Sequence, residues 1–204
     1  MALDLLTPFT KVELEPDKTT ERRAIGIFWG SFNPVHVAHL TIADQVRQQL
    51  HLEKVLFLPE QDPSGHIREM LERALSGKTG LEVEACRCTE NEGKIKRSIY
   101  ETLKALKEKM PEVDFYFIIG GDLVGSLVRW DHIDELVELV QFVGVQRPRY
   151  RAGTSYPIMW IDVPMMDVSS TQIRTQIQKG LVPNFLLAPK VLAYIKKESL
   201  YADT

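Results

Sequence analysis

Two clusters of residues in this chain have the types and spacing to hold an anion. The first is Gly30-Ser31-Phe32-Asn33-Pro34-Val35-His36-Val37-Ala38-His39. His36 and His39 lie three apart where a helix is expected to begin, so their imidazoles project to one side. Backbone N–H groups in the first turn of a helix lack intrahelical partners and carry partial positive charge. Amides and two imidazoles on one side make a phosphate site. Gly30 lets the backbone approach a ligand closely, and Pro34 stiffens the turn. A His-x-x-His pair is also half of a metal site, but the nearby sequence supplies no third ligand. The second cluster is Val168-Ser169-Ser170-Thr171-Gln172-Ile173-Arg174. Ser and Thr are favoured N-caps. A helix is therefore expected to start here, with Arg174 about one turn in and able to reach back. Hydroxyls, first-turn amides and a guanidinium again suit phosphate oxygens.

These clusters need elements to carry them. Apolar runs at 24–29, 54–58, 114–119, 141–145 and 158–163, and the alternating stretch 81–88, read as strands. Segments 37–50, 67–75, 98–109, 169–178 and 189–198 read as helices, with further helical turns between residues 121 and 139. Strands that alternate with helices argue for a doubly wound, Rossmann-like α/β fold, a parallel sheet with helices on both faces. Right-handed crossovers put every strand's carboxyl end at one edge. Ligands in such folds bind outside those ends, where the strand order switches. Both clusters follow strands and fall at that edge. Residues 1–23 contain two prolines, end in Glu21-Arg22-Arg23 and read as a tail or arm. Residues 24–204 read as one domain.

The composition narrows the function class. With 204 residues and a net charge of -3, the chain has enough length for one sizeable core and no basic footprint for nucleic acid. No stretch approaches the ~20 apolar residues of a membrane span. The N-terminus carries no basic-then-apolar pattern of a signal peptide. Cys86 and Cys88 share one face of a strand-like segment without a second pair and read as free thiols in a reducing compartment. The expected location is the cytoplasm. A homo-oligomer is compatible with all of this.

The first cluster resembles the Gly-x-Phe-(Asp/Asn)-Pro-x-His-x-Gly-His motif of the α/β nucleotidyltransferase superfamily. The second resembles that superfamily's (Ile/Val)-Ser-(Ser/Ala)-Thr-x-Ile-Arg signature. Phe117-Ile118-Ile119-Gly120-Gly121-Asp122, then Arg129-Trp130, Phe142-Val143-Gly144-Val145-Gln146-Arg147-Pro148, Tyr194-Ile195 and Leu200-Tyr201 are similar to segments of the nicotinate mononucleotide adenylyltransferases. The resemblance covers nearly everything after residue 24. It implies AMP transfer from ATP to nicotinate mononucleotide, with Mg²⁺ arriving on the ATP and no dedicated metal site. By the same resemblance His36, His39 and Arg174 are catalytic. Gly30, Ser31, Phe32, Asn33, Gly120, Asp122, Ser169, Ser170 and Thr171 hold ATP. Trp130, Ser98 and Ile99 hold the acceptor, the indole stacking on the pyridine ring.

Four departures stand out. Trp29 occupies a position where the family often has Gly, and Ala38 replaces the Gly before His39. The extended Pro-Pro-His-Lys loop after the second strand is shortened to residues 58–66 and lacks its Lys. A Ser-Tyr-Thr segment is replaced by Lys96-Arg97-Ser98-Ile99; with Lys94, its basic residues stand where anionic contacts were lost. The last two departures touch the acceptor side, so the rival readings are nicotinamide mononucleotide or phosphopantetheine as acceptor, or a nucleotide-binding regulatory paralogue without full activity.

Overall fold

The computed structural model of the chain describes residues 22–84, 98–145, 154–164 and 166–202. Its strands are β1 (Ala24–Gly30), β2 (Lys54–Pro59), β3 (Leu81–Val83), β4 (Asp114–Gly120), β5 (Gln141–Val145) and β6 (Ile158–Ile161). Its helices are α1 (Val37–Gln49), α2 (His66–Leu75), α3 (Ile99–Lys109), the single turn α4 (Gly121–Val124), α5 (Ile133–Leu139), α6 (Ser170–Gln178) and α7 (Pro189–Lys197), with a 3₁₀ turn at Leu127–Arg129. The six strands form one sheet in the order β3-β2-β1-β4-β5-β6, parallel at every pairing. This is the doubly wound α/β architecture that the alternation of elements predicts.

The central strand shows why. β1 pairs with β2 on one side and β4 on the other, so both of its edges are bonded and only its two faces need cover. Alternate side chains serve opposite layers. Phe28 enters a cluster that α1, α2, α6 and α7 close with Val46, Leu71, Ile173 and Val191. Ile25 and Ile27 enter a second cluster, closed by Leu103 and Leu106 of α3 and Leu136 of α5. Each such side chain contributes about 1.5–3 kcal/mol by leaving water, so helices on both faces are the low-energy way to cover this strand. The order switches on either side of β1, which opens a crevice between the segments that follow β1 and β4.

Two strands are shorter than their sequence pattern. β3 ends at Val83, its register with β2 running from Val55↔Leu81 to Phe57↔Val83. Cys86, Cys88, Lys94, Lys96 and Arg97 lie outside the described residues. β6 ends at Ile161, opposite Val145, the last residue of β5. Segment 146–148 also lies outside the described residues. Arg22 and Arg23, expected in the tail, are tied to the sheet. The Arg23 carbonyl accepts from the Asp114 amide, and the Arg23 guanidinium meets Glu53 at 2.7 and 2.8 Å. No helix among the described residues is long and apolar enough to cross a membrane.

Candidate active site

The segment after β1 turns sharply before α1. The Asn33-Pro34 bond is cis and Phe32 takes a left-handed φ of 47°. Phe32 folds back under the sheet edge, fully buried, with ring centroids 5.5 Å from Phe28 and 5.3 Å from Phe57. A Cβ on Gly30 would stand 3.2 Å from the Phe32 ring. The bare glycine therefore makes room for Phe32, where the sequence alone suggested room for a ligand. Phe32 itself, expected to hold ATP, is covered on all sides and shapes the loop from within.

His36 is the N-cap of α1 and sits just outside the helix, and His39 is its third residue. The expected common side holds: the two imidazoles stack at 3.7 Å between centroids and 24° between planes. They are not equally accessible. His36 is only 2 % exposed and can meet a ligand at an edge alone. His39 is half-buried, with Phe32 edge-on at 5.1 Å and Phe28 at 5.9 Å. The His36 backbone N–H donates to His39 Nδ1 at 3.3 Å. In the neutral ring this puts the proton on Nε2, making that nitrogen the ring's donor.

The second cluster reaches the same place. Ser169 caps α6, its hydroxyl accepting from the Gln172 amide at 3.2 Å while its own amide donates to Gln172 Oε1 at 2.9 Å. The Ser170 hydroxyl donates to the Pro34 carbonyl at 2.9 Å. Arg174 Nη1 donates to the Asn33 carbonyl at 2.7 Å, and Nη2 to Thr171 Oγ1 at 3.2 Å. The guanidinium and the paired imidazoles thus border one short loop, although Asn33 and Arg174 are 141 residues apart. The hydroxyls read from the sequence as phosphate ligands have protein partners. They cap the helix, pin it to the loop and aim the guanidinium. What α6 offers an anion is its first-turn amides and Arg174.

Across the crevice, Gly120 caps α4 and Asp122 stands exposed in its first turn. Trp130 lies half-buried on the second core cluster, edge-on to Phe117 at 6.2 Å and Phe142 at 6.4 Å. Its Nε1 donates to Ser126 Oγ at 3.3 Å. Trp29 packs edge-on against it at 5.7 Å and 72°, so the unusual indole at the end of β1 supports the second indole. Ile99 packs on the same cluster, and Tyr100 stacks on His132 at 4.6 Å; together these bring the start of α3 beside the Trp130 segment. The Ser98 hydroxyl is engaged in its own cap with Glu101. The shortened segment after β2 ends in an Asp62 cap: its carboxylate accepts from the amides of Ile67 at 3.1 Å and Arg68 at 2.7 Å.

One participant escaped the sequence reading. The Tyr201 hydroxyl donates to Asn33 Oδ1, and no spacing in the chain signals a bond over 168 residues.

A mouth that combines paired imidazoles, helix-start amides and a guanidinium invites comparison with known proteins. Residues 27–176 match the family model described as cytidylyltransferase-like. The chain belongs to the cytidylyltransferase-like family. A Streptococcus pneumoniae protein named as a probable nicotinate-nucleotide adenylyltransferase is 53% identical over 98% of this chain and 100% of its own length. A Streptococcus mutans protein with the same description is 54% identical, with the same coverage. Among solved structures, the nicotinic acid mononucleotide adenylyltransferase of Plasmodium falciparum, complexed with NaAD, superposes with a TM-score of 0.73 at 22% identity. That match covers 88% of this chain and 97% of the other, and it carries the fold.

Proposed function

We propose that this chain is a nicotinate-nucleotide adenylyltransferase, which transfers AMP from ATP to nicotinate mononucleotide and releases deamido-NAD and pyrophosphate. The observation that carries this reading is the convergence of Arg174 and the start of α6 on the loop that leads to His36 and His39. Full-length relatives at 53% and 54% identity with that description support the choice of acceptor.

The reaction needs no protein nucleophile. A phosphate oxygen of the mononucleotide attacks the α-phosphorus of ATP in line, the new P–O bond forms, and the bond to the β-phosphate oxygen breaks. The electron pair leaves with pyrophosphate. Positioning and charge stabilisation do the catalytic work. His39, donating from Nε2, meets the α-phosphate as charge grows on its oxygens, and His36 meets it at the edge it exposes. Arg174 and the amides of Ser170 and Thr171 hold the β- and γ-phosphates, the Ser169 amide being engaged by Gln172 Oε1. Gly30, Ser31 and Asn33 border the nucleotide through their backbone, with Gly120 and Asp122 on the opposite lip. Mg²⁺ would arrive with the substrate as MgATP and offset the charge of its phosphates. Trp130 offers its indole to the pyridine ring, with Ser98 and Ile99 alongside through the start of α3.

A pyrophosphate-release assay tests this with nicotinate mononucleotide, nicotinamide mononucleotide and phosphopantetheine as parallel acceptors. Turnover is expected with the first, and His39→Ala should lower kcat about 10²–10³-fold, the usual effect of removing one transition-state donor. Turnover with another acceptor alone would reassign the acceptor. Absence of turnover with all three would leave a nucleotide-binding protein.

A further inference from the structure

The C-terminal segment approaches the site from behind. After α7, Ser199 and Tyr201 take left-handed φ values of 52° and 63°. The Leu200 amide closes onto the Ile195 carbonyl at 3.0 Å. This double reversal sends the Tyr201 ring back into the first core cluster. There the hydroxyl finds two acceptors, Asn33 Oδ1 and, at 3.9 Å, the sulfur of Met70 in α2. A thioether is a weak acceptor, so the Asn33 amide oxygen is the partner that matters.

Asn33 is engaged twice. Its side chain receives Tyr201, and its carbonyl receives Arg174. The neighbouring Pro34 carbonyl receives Ser170. The loop that seats both α6 contacts is thus met on its inner side by the Tyr201 phenol. With Oδ1 accepting from that phenol, the Asn33 amide presents Nδ2 and its two N–H donors elsewhere.

We propose that Tyr201 is a positioning residue for the phosphate end of the nucleotide site, acting through Asn33 on the seat of Arg174. The inference rests on the reading above, that this end of the crevice takes the triphosphate. Burial of the phenol fits such a role: its titration is pushed up to about 12, so it stays a donor across the working pH range.

The test is a double-mutant cycle read by equilibrium binding of MgATP without acceptor, so that turnover is not required. Tyr201→Phe keeps the ring in its packing and removes one hydrogen bond. It should weaken ATP binding about fivefold, the effect of a net hydrogen bond near 1 kcal/mol, while the acceptor KM stays at the wild-type value. In an Asn33→Ala background the same substitution should have no further effect, because residues acting through one contact are not additive. Asn33→Asp, which keeps an acceptor for the phenol, should retain the Tyr201→Phe sensitivity and completes the comparison if the alanine variant does not fold. Wild-type ATP affinity in Tyr201→Phe overturns the inference, as does an equal loss in both backgrounds. If the wild-type chain itself binds no ATP, the functional reading falls and this inference falls with it. If the wild type binds and only the cycle fails, this inference alone falls.

Discussion

Removing the guanidinium of Arg174 should cost ATP handling and spare the acceptor. The side chain has five N–H donors. In the structure two of them meet protein acceptors, the Asn33 carbonyl at 2.7 Å and Thr171 Oγ1 at 3.2 Å. About three remain for phosphate oxygens. A hydrogen bond to a charged group contributes about 1.5–3 kcal/mol, so losing even one lowers kcat/KM for ATP about 10- to 150-fold. Arg174→Ala also strips the Asn33 carbonyl of its charged donor, at about 1.5–3 kcal/mol of stability. That loss lies below the 5–15 kcal/mol typical of a folded domain, so the variant should fold. Arg174→Lys retains the charge but not the fork, and one ammonium cannot hold the loop and a phosphate together. Its activity should fall between the other two. Pyrophosphate release measured against ATP at saturating acceptor, then against acceptor at saturating ATP, separates the effects. The acceptor KM should change by less than about twofold. If Arg174→Ala keeps its kcat/KM for ATP, or if the loss appears only in the acceptor KM, the placement of the triphosphate at α6 is refuted.

Three further outcomes are expected. Trp130→Ala should raise the acceptor KM roughly 2- to 12-fold through lost ring stacking, with the ATP KM unchanged; Trp130→Phe should recover most of it, and steady-state kinetics decides. Tyr201, whose folded-state ionisation is pushed up to about 12 from an unfolded value of about 10, keeps its proton longer in the folded chain than in the unfolded one. Its contribution is complete below pH ~10 and is lost as pH rises towards ~12. Denaturant titrations across that window should show a shallower alkaline loss in Tyr201→Phe than in the wild type. Gly144→Ala would put a Cβ 2.8 Å from both Ile158 Cγ2 and Trp160 Cε3, forcing β6 off β5; urea unfolding should register about 1–3 kcal/mol of destabilisation.

The sequence by itself determined the architecture. Apolar runs of strand length, separated by amphipathic segments and with Ser169 as a cap, admit few arrangements other than a covered parallel sheet, because burial and backbone hydrogen bonding act locally on each element. It also determined the chemical character of the mouth, since His36, His39 and Arg174 sit immediately past strand ends or helix starts. Only the tertiary structure decided how those groups are held. That His36 lies nearly covered beneath His39, that Gly30 yields to the Phe32 ring, and that Trp29 braces Trp130 are packing outcomes with no signature in spacing. The Ser170, Thr171 and Ser98 hydroxyls looked available from the chain, and they are engaged in caps and loop contacts. The Tyr201–Asn33 bond depends on where the end of the chain returns. Contacts of this kind are set by which distant surfaces share a core, a property of the assembled fold that no local stretch of residues encodes.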